Sequence, residues 1–332
     1  MSFNHVDLTP VASLFIECFG EKIFHTPKDT NNRPLSGLRL SSFRELESLL
    51  VAPTVLSSKT TSEQNLQQLR QMVEIINKAG FVKASYVEYL TALLTIHQCY
   101  LERQIPDSMG VNSRVSESLD FKMNLFDPSG VEKTVSYVGC EPEIRVFLSS
   151  FGNSLQFIRV YHLITSKFAR GLKDCFSKFN KPLIELESRQ GLLFSAMKES
   201  GANMGQCFCL KTSDRTSWSG EQMTHHRMKT VVEHYQNEAI YLLEASSIGQ
   251  FKNLLIDTRD HKTPCCLVNI GFKFKELLLR YPHVKNIVLN IPDYYQFCEH
   301  QGVSLLCLNY SDVEFQRCLD TIPDKYKAEA SQ

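Results

Sequence analysis

No GxxxxGK[ST] run occurs in the 332 residues, and no GxGxxG follows a strand-like segment. The standard P-loop and dinucleotide fingerprints are thereby excluded, because both need glycines where backbone N–H groups approach a pyrophosphate. HExxH and GxSxG are missing too, which removes the simplest zinc-protease and α/β-hydrolase chemistries. An excess of one charge is also lacking: 36 Lys and Arg balance 36 Asp and Glu. Any attraction to nucleic acid or membrane must therefore come from a local patch. Eighteen consecutive apolar residues occur nowhere, so no membrane-spanning helix is expected. The start, MSFNHVDLTPVASLFIECFGEK, has no basic region ahead of an apolar core, and a secretory signal is not expected. Internal repeats and low-complexity tracts are absent as well.

What is present is a chain long enough for one large domain or two ordinary ones, with 43% hydrophobic residues to fill a core. Eleven cysteines without a short paired framework fit a reducing compartment. A cytoplasmic location is expected, with the nucleus equally compatible.

The first third reads as helical. Thr9-Pro10 caps VASLFIECF, and Ser42 with Glu45 and Thr61 with Gln64 have capping-box spacing. Helices are predicted at about 42 to 51 and 62 to 78. Tyr86, Leu90, Leu93, His97 and Tyr100 continue the helical period beyond Gly80.

The period then changes to two. Leu119, Phe121, Met123 and Leu125 alternate with polar residues, Asp127-Pro128-Ser129-Gly130 suits a turn, and Val131, Lys133, Val135 and Tyr137 alternate again. A β-hairpin near 119–138 is predicted. Helices are expected from Phe157 to Lys181, from Pro182 to Met197, and from Met223 to Ala245. Cys266–Ile270, Asn286–Ile291 and Ser304–Leu308 are short apolar runs separated by helix-like segments, which predicts a small α/β region. The resulting fold class is α-rich α+β: a helical N-terminal half with an inserted hairpin, and a small α/β C-terminal region. The expected domains are 1–205 and 221–325, with a single domain as the alternative.

One segment concentrates charge. From Phe157, bulky apolar residues fall at Tyr161, Ile164, Phe168, Leu172, Cys175 and Phe179 in steps of three and four. On a helix, Arg159, Lys167, Arg170, Lys173, Lys178 and Lys181 project within roughly a 140° arc beside that apolar face. Phosphate of RNA, or another polyanion, is the expected partner of such a stripe; a solvated helix face is the plainer explanation. Gly171 lies at the edge of the apolar face and suggests a kink or close packing.

Candidate chemistry is sparse. Cys207, Cys209, His225 and His226 are residue types that zinc accepts, although the C-x-C spacing and adjacent histidines suit it poorly. Cys265, Cys266, Cys298 and His300 read as buried cysteines and a polar neighbour. Asp257, Asp260 and His261 follow an apolar run and form the one combination open to a metal-dependent hydrolase or nuclease; a polar turn explains them equally. The functional expectation is a non-catalytic, intracellular binding or assembly protein that uses the basic helix and needs no cofactor. A self-associating scaffold without nucleic acid is the alternative, with homo-oligomers expected in either case.

Overall fold

The computed structural model describes residues 95, 99, 104–113, 118–126, 131–140, 164–188, 191–209, 220, 222–244, 262, 264–272, 281–294 and 301–328. The chain divides into two compact units, one formed by Met1–Gln104 with Met109–Ile158 and the other by Ile105–Ser108 with Arg159–Gln332. The helices predicted over 10–18, 42–51 and 62–78 lie outside the described residues.

The α-rich expectation is overturned. The described residues hold ten strands and only four short α-helices, and the described part of the N-terminal half is chiefly a sheet. In the first unit, β1 (Ser108–Ser113), β2 (Ser118–Phe126) and β3 (Glu132–Cys140) form a three-stranded sheet in that order. β2 and β3 pair antiparallel with Phe121 opposite Tyr137 and Met123 opposite Val135. Phe121, Met123, Leu125 and Tyr137 are buried while Lys122, Thr134 and Val138 are exposed, the two-residue alternation of a half-buried ribbon.

The second unit is built on a seven-stranded sheet. Its strands are β4 (Leu183–Ser188), β5 (Met204–Cys209), β6 (Thr224–His225), β7 (Ile240–Glu244), β8 (Cys265–Phe272), β9 (Val284–Leu289) and β10 (Gln301–Leu308). Their spatial order is β6-β5-β4-β7-β8-β10-β9. The first five neighbours pair in parallel, whereas β10 runs antiparallel to both β8 and β9. Counted from β4 as strand one, the order is 3-2-1-4-5-7-6. This is the doubly wound order 3-2-1-4-5-6 with one reversed strand inserted before the last.

Helices α1 (Ser166–Phe176), α2 (Leu192–Glu199), α3 (Met228–Tyr235) and α4 (Asp312–Thr321) accompany this sheet. Met228, Val231 and Val232 of α3 share a core with Ile184, Leu186, Tyr241, Leu243, Leu267 and Leu306. Residues of the opposite parity face α2 and α4. A capping box formed by Ser311 and Glu314 starts α4. Residues 326–328 lie along β9: Leu289 bridges Lys327, Asn290 N donates to Tyr326 O, and Ala328 N donates to Val288 O.

Three predicted helices are corrected. The one expected over 157–181 is interrupted: among its described residues α1 begins only after Thr165, which is extended and whose hydroxyl accepts from Phe168 N at 3.0 Å to cap the helix. A 3₁₀ turn at Ser177–Phe179 and a left-handed Asn180 then end it. The helix expected over 182–197 is instead β4 followed by α2. The one expected over 223–245 is β6, α3 and β7, with Gln236 (φ 47°) breaking the chain. Central parallel strands are covered on both faces, so LIELES and IYLLE show no alternation to betray them.

Gly171 sits where α1 meets the segment before Asp293. A Cβ there would lie 3.0 Å from Pro292 Cδ and 3.1 Å from Ile291 Cγ2. Alanine gains about 1 kcal/mol of helix propensity, while forcing a methyl group into a packed core costs about 1–3 kcal/mol. Gly171→Ala is therefore expected to lower stability by about 1 kcal/mol net, measured as a reduced urea midpoint at unchanged m-value. A raised midpoint would mean that the proline segment moves away freely.

Candidate functional site

In a doubly wound sheet, ligands enter at the carboxyl ends of the strands, where the chain order reverses. Here that point lies between β4, whose chain continues through α2 to β5, and β7, which is laid down on the other side. The first turn after β4 runs from Ser188 to Gly191. Gly191 is left-handed (φ 64°) and caps α2, and Ser188 Oγ accepts from its N–H at 2.7 Å. Glu187 is left-handed as well (φ 51°), a conformation in which glycine is at ease and glutamate is strained. A left-handed position near the end of β4 is thus held by a carboxylate residue.

Glu185, in the middle of β4, is 1% exposed. Its Oε2 accepts from Phe194 N at 2.6 Å, an amide in the first turn of α2, where a bound phosphate would otherwise sit. Its Oε1 is buried with no hydrogen-bond partner. Burial pushes the carboxyl up to about 7, against the opposing pull of the Ser188 hydroxyl and the Phe194 amide, which favour the charged form. Leu186 of β4 pairs with Leu243 of β7, which brings Glu187 and Glu244 to the adjoining strand ends. Among the described residues, the crevice edge therefore carries carboxylates from both strands. Next to it in the sheet, Asn269 and Ser304 are buried and directly opposed across β8 and β10. A separate groove of about 230 Å³ beside β5 and β6, with Lys198, Gln206 and Thr224 on its wall, is smaller than an ordinary ligand pocket of about 300–1,000 Å³.

The basic residues of α1 have partners inside the unit. Lys167 Nζ lies 2.9 Å from Asp293 Oδ1, and Asp293 is only 4% exposed. The Thr165 hydroxyl also donates to Asp293, at 3.2 Å. Arg170 pairs with Asp107 at 3.1 Å, Lys173 donates to Ser200 O at 3.0 Å, and Lys181 donates to Asn237 Oδ1 at 2.8 Å. Lys178 lies in the 3₁₀ turn and Arg159 outside the described residues. Only three of the six, Lys167, Arg170 and Lys173, are on α1 itself.

Cys207, Cys209, His225 and His226 are not gathered into one cluster. Cys207 and Cys209 pack with Phe194 and Met223. His225 Nδ1 meets the Cys209 carbonyl at 3.1 Å, and the His226 ring is edge-on to Phe208. Of the other cysteine group, Cys265 and Cys266 are adjacent on β8 and point to opposite faces, while Cys298 and His300 lie outside the described residues, as do Asp257, Asp260 and His261. Sequence reasoning passed over Glu185, Glu187 and Glu244. The signal for Glu185 was an acid inside an apolar run, two residues before a second acid, three before a serine and six before a glycine. Among the described residues, no helix is long and apolar enough to cross a membrane.

No known protein-family model matches this chain, and no curated protein matches it.

The raised Glu185 value has a definite consequence for stability. Between the ordinary glutamate range and pH 7, the unfolded chain releases this proton while the folded chain holds it. This contribution is complete below the ordinary range and is lost as pH rises through 7, by about 3 kcal/mol in all. Glu185→Gln is expected to gain stability over the parent progressively across that window and to hold a constant advantage above it. Urea midpoints over a pH series measure this, and a difference that does not change with pH would contradict it.

Proposed function

We propose that the second unit binds a nucleoside-type small molecule over the carboxyl ends of β4 and β7, and that this ligand carries hydroxyls and a positive charge in place of a phosphate. The observation behind this reading is the fully buried Glu185, with one oxygen engaged by the α2 amide and the other without a partner. A buried acceptor of this kind calls for a donor. A dinucleotide or nucleoside triphosphate is disfavoured, because a carboxylate already occupies the helix N-terminus and two more stand at the strand ends.

The fold supports the same choice by analogy alone. The order 3-2-1-4-5-7-6 with a single reversed strand is the architecture common to S-adenosylmethionine-dependent methyltransferases. Ribose hydroxyls, an ammonium and a sulfonium are groups that carboxylates attract. In this reading Glu185 accepts from the ligand, and Glu244 and Glu187 favour its positive charge. No residue is assigned to a chemical step.

A second reading, α1 as a surface for RNA or another polyanion, is favoured by the side chains of Lys167 and Arg170. They remain 52% and 51% exposed despite their ion pairs, and exposed pairs are weak enough to exchange partners.

Calorimetric titration at about pH 8, above the Glu185 midpoint, tests the first reading with S-adenosylmethionine, S-adenosylhomocysteine and ADP. The adenosyl compounds are expected to bind and ADP to fail. Glu185→Gln should weaken binding roughly 10- to 100-fold, as loss of a hydrogen bond to a charged group does. Binding of ADP alone, binding of none of the three, or indifference to the substitution would overturn it. For the second reading, Arg170→Glu is expected to weaken binding to unrelated RNA sequences alike and to flatten its salt dependence. An unchanged slope would remove the claim. Arg170 is the informative position, since reversing Lys167 would also set a like charge against the buried Asp293.

A further inference from the structure

Eight cysteines fall among the described residues, and all are buried. Three of them converge. Cys266 on β8 and Cys307 on β10 are register partners across the antiparallel pair, and Cys318 comes down on them from α4. Their sulfurs lie within 4.8 Å of one another, with Cys266 Sγ and Cys318 Sγ 3.6 Å apart. Two polar groups join them. The Tyr310 hydroxyl accepts from the Cys266 thiol at 3.1 Å and donates to Asn237 Oδ1. Lys181, whose ammonium donates to the same Asn237 oxygen at 2.8 Å, adds positive charge to the neighbourhood of Cys266.

This is more than three small hydrophobes sharing a core. Cys207 and Cys209 sit among apolar side chains, whereas this trio has a hydroxyl and a cation beside it.

The geometry points to a zinc-binding site made by Cys266, Cys307 and Cys318, with the Tyr310 hydroxyl as the fourth donor. Zinc–sulfur bonds of about 2.3 Å in a tetrahedron place sulfurs about 3.8 Å apart, close to the spacing present before any adjustment. Zinc displaces the thiol protons to solvent, and binding tightens as pH rises. Three thiolates and one zinc leave a net negative charge, which the Lys181 ammonium offsets. Enclosure and the lack of an open position make the site structural, joining α4 to the reversed strand.

The test uses the full chain, purified under reducing conditions, dialysed against zinc chloride and then freed of loosely bound metal. Elemental analysis is expected to find zinc that is lost in Cys318→Ala, with affinity in a chelator competition at least tenfold weaker in that variant. Added zinc should raise the melting temperature of the parent and leave the variant unmoved. Should Cys318→Ala fail to fold, cobalt substitution of the parent decides: a thiolate-to-cobalt charge-transfer band with tetrahedral visible bands supports the site. Metal-free parent protein with no such band, or zinc retained unchanged in the folded variant, would overturn it and return the thiols to core packing.

Discussion

Strand β4 is paired on both edges and covered on both faces, and the second unit is ordered around it. β5 and β7 are hydrogen-bonded to it in parallel, so each needs a crossover over one face of the sheet. With both faces covered, water cannot solvate a charge placed on this strand. Glu185 nonetheless stands there. Its hydrogen bond from the first turn of α2 ties the helix start to the strand. The left-handed residues at Glu187 and Gly191 are what that short connection requires.

The two ends of the same sheet carry different chemistry. At the carboxyl ends of β4 and β7 are carboxylates, which repel anions and accept hydrogen bonds. Toward the start of β8 and the end of β10 are thiols, which are soft donors. The separation follows from the reversal of β10. Had that strand run parallel to β8, Cys307 near its end would lie at the other end of the sheet from Cys266, near the start of β8. Antiparallel register puts the two opposite each other, and α4, following immediately, brings Cys318 over the pair. Lys181 belongs to this lower end, just before β4, and not to a helical stripe.

Legibility in the sequence tracked exposure. The β2–β3 hairpin was readable because one face is wet and the other dry, so Phe121 and Met123 alternate with Lys122 and Asn124. Strands β8, β9 and β10 were readable as short apolar runs with β-branched residues. β4 and β7 were not, since burial on both faces erases the period and leaves Leu-Ile-Glu-Leu-Glu indistinguishable from a helical turn. The basic stripe on α1 was visible, but its meaning was not. Asp293 and Asp107, which pair with Lys167 and Arg170, are far away in the chain, and no local window reports them. The thiol cluster was hidden for a similar reason: its spacing is dictated by strand register and not by a short motif. The carboxylate site was partly visible as two acids spaced by two in an apolar run, and only topology shows that it lies beside a switch point.

The outer edge of β9 has a different kind of significance. A sheet's last strand presents unpaired N–H and C=O groups that any extended chain can join. Residues 326–328 lie against that edge, bonding through Asn290 N to Tyr326 O and through Ala328 N to Val288 O. At the opposite margin β6 is only two residues long, too short to recruit a partner strand. The β9 margin is therefore finished by the protein's own chain, and strand addition there is blocked without any charged residue having to repel a newcomer.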